Sequence, residues 1–465
     1  MPYSLHHLDL DDKMCQQVNL HVFEQIYLYE RIAEQLSLHH AWEERERVLN
    51  MVSVFHLLLA AALWTRLAFP RVLERLVRPL HVLGLPLRAM LVRGSAISYR
   101  RQQLGVKPMQ GLFARWCRPM CTPATKGAYR FGKRVMALDG TMQDVADTPA
   151  NATAFSRPSN QYGPGPFPQL RLLLLTECGS HAMVDVSISD NTQGERSLAY
   201  DVVRSLDANM LLLHDAQFTG LEFWHTLRTH QVHVLGPLPS HHLPGYQRQL
   251  RDGSYLACYQ PSAQQKREGI AAVWARVIEY RITDARLGEP EQVYRLGTTW
   301  LNPRTAPALD LIDCSHERWE IETSLDEIKT HQRLQQAVLR SRTPEGVRQE
   351  VYALLLAHYA VRTLMHEAAC QAEVDPDRLS FTDALFVLLE TTRELAQVHP
   401  CQHDGLLQDM YARLTAQLLP KRPLRTNPRV LKKVYRKYKR KSPDLPAVPP
   451  FEPNAQFLEF VVLLI

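Results

Sequence analysis

No apolar run in this sequence is long enough to cross a bilayer. The most apolar stretch, Val54 to Phe69, is broken by His56 and Arg66 and falls short of the ~20 residues a spanning helix needs. It reads as a buried helix. The start, Met1 to Leu20, is polar and carries Asp and His, so no signal peptide is expected there. A cytoplasmic protein without a membrane role is expected. Cysteine is sparse, with eight in 465 residues. Cys117 and Cys121 are close, but no second Cys or His pair follows at zinc-finger spacing, so they are read as structural. A disulfide framework is excluded, and free thiols suit a reducing compartment. There is no Gly-rich phosphate loop, so no nucleotide cofactor is expected, and there is no internal repeat.

Acid is nearly absent from two stretches. Arg66, Arg71, Arg75, Arg78, Arg88, Arg93, Arg100 and Arg101 face one acid, Glu74. Lys421 to Lys441 holds eleven Lys/Arg and no acid, with Tyr435 and Tyr438 interleaved. The net charge of +6 is modest, but this clustering points to a polyanion partner.

The length suits about three domains. Residues 1–125 read as helical, with apolar spacing at Val22, Ile26, Leu28, Ile32 and Leu36, and helix boundaries at Pro70 and Pro79. Residues 126–372 read as α/β. Strands are expected at Arg134 to Asp139, Leu170 to Thr176, Ala182 to Ser189, Asn209 to Asp215 and Gln231 to Leu235, with helices at Glu195 to Leu206 and Leu221 to Thr229. Within them, about 240–306 reads as a β-rich insertion, with strands at Tyr255 to Tyr259, Val273 to Ile282 and Val293 to Leu301. Thr343-Pro344 is a helix start, followed by the stripe Val347, Val351, Leu354, Leu355, Val361. Residues 373–465 form a basic helical C-terminal region with a Pro-rich linker, Ser442 to Pro453, and an apolar end.

Two of the strands finish in an acid, Asp139 and Asp215. Acids at the ends of adjacent strands converge, because strands lie about 5 Å apart. With a helix acid they would form a hard oxygen cage for Mg²⁺ or Mn²⁺. Each acid alone reads more simply as a solvated loop residue. The segment His316 to His331 supplies the third. On one continuous helix, positions 315, 318, 322 and 329 share a sector of roughly 60°. Arg318, Glu322 and Lys329 then share a face, beside an apolar stripe of Ile321, Leu325 and Ile328. An exposed helix with an Arg318–Glu322 salt bridge is the plainer alternative.

These residues resemble the YREK signature of the insertion-sequence-four family of bacterial DDE transposases: Tyr, two residues, Arg, three residues, Glu, six residues, Lys. Arg318, Glu322 and Lys329 match in type and spacing. Ala137-Leu138-Asp139-Gly140-Thr141 is similar to the family's first acid motif, and Leu213-His214-Asp215-Ala216-Gln217-Phe218 to its second. Two positions depart. Ser315 stands where the signature has Tyr, and Ala216-Gln217 where Arg-Gly is commoner.

The resemblance implies an RNase H-like mixed sheet flanked by helices and a helical N-terminal domain that binds DNA ends. It implies Asp139, Asp215 and Glu322 as catalytic metal ligands for two Mg²⁺ or Mn²⁺ ions. Arg318 and Lys329 would contact phosphates. The partners implied are double-stranded DNA, as transposon inverted repeats and target, and a second copy in an active homodimer. Two alternatives stay open: a metal-dependent nuclease on the same fold, and a weakened or domesticated copy that binds DNA without transposing. Trp300 and Trp319 read as core or groove aromatics, and His39-His40 and His241-His242 as surface.

Overall fold

The computed structural model describes residues 21–23, 26–45, 49–82, 92–160, 163–284, 290–334, 338–420 and 460–464. The basic run Lys421 to Lys441, the Pro-rich linker and Arg88 lie outside them. The strands that matter here are β1 (Lys133–Val145), β2 (Gln169–Glu177), β3 (Met183–Asp190), β4 (Met210–Leu213), β5 (His233–Pro237), β6 (Gly245–Gln249), β7 (Tyr255–Tyr259), β8 (Val273–Ile282), β9 (Tyr294–Thr298), β10 (Val338–Leu339) and β11 (Val461–Leu463). The helices are α1 (Tyr29–Leu38), α2 (Met51–Leu63), α3 (Phe69–Val82), α4 (Gly94–Leu104), α5 (Lys107–Trp116), α6 (Glu195–Val202), α7 (Leu221–Thr229), α8 (Ala308–His316), α9 (Trp319–Asp326) and α10 (Pro344–Gln371). The fold class is mixed α/β, as expected.

Two compact units divide the chain. The first takes Met1–Lys126, Gly140–Val202 and Ile321–Leu418; the second takes Gly127–Asp139, Val203–Glu320 and Leu419–Ile465.

In the first unit, α2 packs against α10 and α1 against α5. All thirteen residues of α2 are buried. A helix that is apolar on every side belongs inside a core, which explains why this stretch lacks an amphipathic pattern. Asn50 caps it, accepting from the Ser53 amide at 2.8 Å. Thr343 caps α10 by accepting from the Gly346 amide at 3.2 Å, with Pro344 at the first helical position. The expected stripe from Val347 to Val361 is buried. β2 and β3 form an antiparallel hairpin, and β10 pairs in parallel with the far part of β1, Val338 opposite Asp144.

In the second unit, the near part of β1 runs parallel to β4, from Arg134↔Met210 to Ala137↔Leu213. β4 runs parallel to β5. The β-rich insertion is an antiparallel sheet of β6 to β9, joined to β5 through β9, with Leu296 opposite Pro237. The chain end adds a strand that composition alone did not announce. β11 pairs with β8, Leu463 opposite Tyr280.

Several expectations are corrected. β1 does not end at Asp139 but continues to Val145. Leu28 is 42% exposed rather than part of the buried stripe of α1. The segment His316 to His331 is not one helix. α8 ends at His316, Glu317 and Arg318 form a turn, α9 follows, and Glu327–Gln332 is π-helical. Two members of the arginine run are structural. Arg100 is buried and donates to Leu49 O at 2.9 Å, and Arg101 donates to Gln349 Oε1 at 3.0 Å. Arg66, Arg71, Arg75 and Arg93 are exposed. Among the described residues no helix is long and apolar enough to cross a membrane.

Candidate active site

In the second unit, Asp139 and Asp215 are brought into equivalent positions. Pairing of β1 with β4 stops at Ala137↔Leu213, and each Asp lies two residues further on. Both are half-buried. Beyond Leu213 the chain leaves the strand, and Asp215 starts a short 3-10 turn. Its Oδ1 accepts from the Ala216 amide at 2.6 Å. One carboxylate oxygen thus fixes the turn.

His214 sets the Asp215 backbone. Its Nδ1–H donates to Asp215 O at 2.8 Å, and the ring packs edge-on against Trp224, centroids 5.7 Å apart. Burial lowers its pKa to about 4, so the ring is neutral at pH 7. The other ring nitrogen, Nε2, is buried with no hydrogen-bond partner among the described residues. Gly236 makes room for the ring: a Cβ there would lie 2.4 Å from His214 Cε1.

The turn that carries Arg318 is tethered in the same unit. Arg130 Nη2 donates to Glu317 Oε1 at 2.9 Å and to Asp313 Oδ2 at 3.3 Å. Burial opposes the charge on Arg130, but Glu317 and Asp313 outweigh it and raise its pKa. Ser315, His316, Arg318, His214 and Arg295 border a cavity of about 370 Å³. His316 is lowered to about 4, by burial first and then by Arg318. Ser315 spends its hydroxyl on its own helix, donating to Ile312 O at 2.7 Å.

Glu322 and Lys329 belong to the first unit, both half-buried. Glu322 lies on α9 and Lys329 in the π-helical segment. The expected apolar stripe holds: Ile321, Leu325 and Ile328 are buried. Leu325, Ile328 and Lys329 border a small apolar gap with Thr141, Gln143, Leu172 and Leu174, so this helix packs over the far part of β1 and over β2. Gly140 allows a close approach on the strand, since a Cβ there would come within 2.2 Å of the Glu195 carboxyl carbon. Sequence reasoning missed Glu327, His181, His358 and Arg362, a buried polar cluster in this unit. The i,i+4 spacing of His358 and Arg362 on an otherwise apolar helix was the available signal. Cys117 and Cys121 are buried and form no disulfide.

Residues 130–360 match the transposase DDE domain, and residues 17–114 match the N-terminal domain of insertion element 4 transposases. The chain is 28% identical over 373 residues to the InsG transposase of insertion sequence element IS4 from Escherichia coli (strain K12), covering 79% of this chain and 82% of that one. A second chain of that strain, InsZ, is 26% identical over 149 residues, 30% of this chain and 46% of its own length. A solved piggyBac transposase synaptic complex with hairpin DNA aligns at a TM-score of 0.45 and 12% identity, over 90% of this chain and 88% of that one.

The chain is therefore a DNA transposase of the DDE class, an enzyme that acts on DNA and uses divalent metal. It belongs to the insertion-sequence-four family.

Proposed function

We propose that this transposase cleaves transposon ends and joins them to target DNA with Asp139, Asp215 and Glu322 as metal ligands. The observation that carries the reading is that Asp139 and Asp215 each lie two residues beyond Ala137↔Leu213, the last pair of two neighbouring parallel strands. Strands so paired lie about 4.8 Å apart, which lets two carboxylates address one cation. The donor set fits: half-buried carboxylate oxygens suit Mg²⁺ or Mn²⁺, and His214, next to Asp215 in the chain, has its Nδ1 committed to Asp215 O.

Two such ions, when bound, would supply Lewis-acid catalysis at the attacking and leaving oxygens. The rest belongs to the chain. Asp215 is fixed by the Ala216 amide on its carboxylate and by His214 on its backbone carbonyl. Arg318, on a turn tied down by Arg130, and Lys329 offer positive charge to phosphates of the transposon end. The neutral rings of His214 and His316 add no competing charge beside Arg318.

The substrate is read as double-stranded DNA, terminal inverted repeats and target alike, handled by a homodimer in the active complex. The exposed Arg66, Arg71, Arg75 and Arg93 support a DNA-end-binding role for residues 1–125. Residues 126–372 are assigned to catalysis, with the insertion at about 240–306, and residues 373–465 to the basic C-terminal region. The working place is the cytoplasm, on the nucleoid when DNA is bound.

The test is a strand-transfer assay with a matched transposon end and a plasmid target. Wild type should give joined products. Asp139→Ala, Asp215→Ala and Glu322→Ala should each abolish cleavage while keeping end binding. Cleavage near the wild-type rate by any of the three removes that residue from the site.

A further inference from the structure

The π-helical segment Glu327–Gln332 is held at both ends by buried polar contacts of the first unit. At its start, Glu327 is 3% exposed. Arg362 donates through Nε to Oε2 at 2.9 Å and through Nη2 to Oε1. His358 Nε2–H donates to Oε2 at 3.0 Å, and His181 Nδ1 lies 3.1 Å from Oε1. At its end, Gln332 Nε2 donates to Leu354 O at 3.1 Å and Ala62 O at 3.3 Å, and Arg333 donates to Gln143 Oε1.

These partners come from separate elements. His181 sits in the turn between β2 and β3 at φ 59°, a left-handed backbone for a residue with a side chain, with its Nε2 3.2 Å from Asp377 Oδ1. His358 and Arg362 sit one turn apart on α10. Burial pushes Glu327 up, yet Arg362 and His181 outweigh it and hold the carboxyl well below its usual range. Burial and Arg362 push His181 down, but Asp377 and Glu327 together hold the ring protonated, at about 10. A carboxylate this deep is tolerated only when fully paired.

The π turn is rarer than the α turn and is met mostly as a single irregular turn at functional sites. It carries an extra residue per turn, so Lys329 is rotated from where an unbroken helix starting at Glu322 would put it. Glu327 is buried and has no route to DNA. Its contacts tie this segment to α10 and to the turn between β2 and β3.

We propose that Glu327 is a positioning residue: its clamp by Arg362, His181 and His358 holds the π segment and so sets the angle at which Lys329 is presented relative to Glu322. The role rests on Lys329 contacting phosphate, as proposed above.

A double-mutant cycle tests it, because coupling between two residues appears as non-additivity. Single-turnover end cleavage and the salt dependence of end binding are measured for wild type, Glu327→Gln, Lys329→Ala and the double variant. Glu327→Gln should slow cleavage at least tenfold in the wild-type background and less than twofold in the Lys329→Ala background. It should also reduce the slope of log affinity against log salt by about one, the loss of one phosphate contact, with no further loss in the double variant. A residue that is merely structural leaves that slope unchanged. Cleavage within twofold of wild type, or the same loss in both backgrounds, overturns the positioning role. A Lys329→Ala chain that cleaves and binds like wild type overturns the phosphate reading of Lys329, and the positioning role with it. Should Glu327→Gln fail to fold, Arg362→Lys takes its place in the cycle with the same outcomes; it keeps the charge and loses the fork.

Discussion

Asp139 and Asp215 each lie two residues beyond Ala137↔Leu213, the last pair that joins β1 to β4. The two strands then behave differently. β1 runs on to Val145, while the other chain turns away at His214 and is capped by the Asp215 carboxylate itself. Asp139 therefore rides on a continuous strand, and Asp215 on a turn held by one ring and one amide. Loosening the second should be easier than loosening the first.

The histidine beside Asp215 gives a pH signature. His214 has a folded pKa of about 4, below its ordinary 6.5, because burial disfavours the cation. The unfolded chain then binds more protons between those values, so stability falls as pH drops from about 6.5 to 4. A shift of this size corresponds to about 3 kcal/mol lost by pH 4. His214→Asn, which keeps a donor toward Asp215 O, should flatten this dependence in urea melts from pH 7.5 to 4. An unchanged slope would remove His214 as its source.

Ser315 stands at the signature tyrosine position, and its hydroxyl is engaged by Ile312 O rather than turned to a ligand. It borders the same cavity as Arg318. A phenol there can reach a phosphate that a serine hydroxyl cannot. One hydrogen bond to a charged group contributes about 1.5–3 kcal/mol, a factor of roughly ten to a hundred in rate. Ser315→Tyr should accelerate single-turnover end cleavage by about tenfold. Equal rates would mean that the missing tyrosine costs nothing.

The Lys421 to Lys441 run, with eleven cations and no acid, should act through counterion release. Deleting it should make DNA affinity less sensitive to salt. An unchanged slope would assign the run to a merely solvated surface.

Most strands and helices were legible because their patterns are local. Leu221–Thr229, Tyr255–Tyr259 and Val273–Ile282 fall where alternation or helical spacing places them. Asp139 and Asp215 stood out in the sequence because each follows an apolar run. The helix carrying Glu322 was misread for a physical reason. Periodicity carries on through a two-residue turn at Glu317–Arg318 and through a π turn, since neither changes composition. What breaks the helix is tertiary: Arg130 pulling on Glu317, and Arg362 with His181 on Glu327. The same limit hid Arg100 and Arg101. Their charge suggested DNA, while Leu49 O and Gln349, distant in the chain, absorb them. β11 was hidden because its partner, β8, lies almost two hundred residues away along the chain.

The most direct test of the central claim is metal rescue at Asp139 and Asp215. A thiolate is a softer ligand than a carboxylate and discriminates against Mg²⁺ in favour of softer cations. Asp139→Cys and Asp215→Cys are each assayed for single-turnover cleavage of a matched transposon end, first in Mg²⁺ and then in Mn²⁺, with end binding measured alongside. The account predicts normal binding, no cleavage in Mg²⁺, and cleavage regained in Mn²⁺ at both positions. Cleavage in Mg²⁺ at the wild-type rate, or no rescue in chains that fold and bind the end, would contradict metal ligation by these two residues.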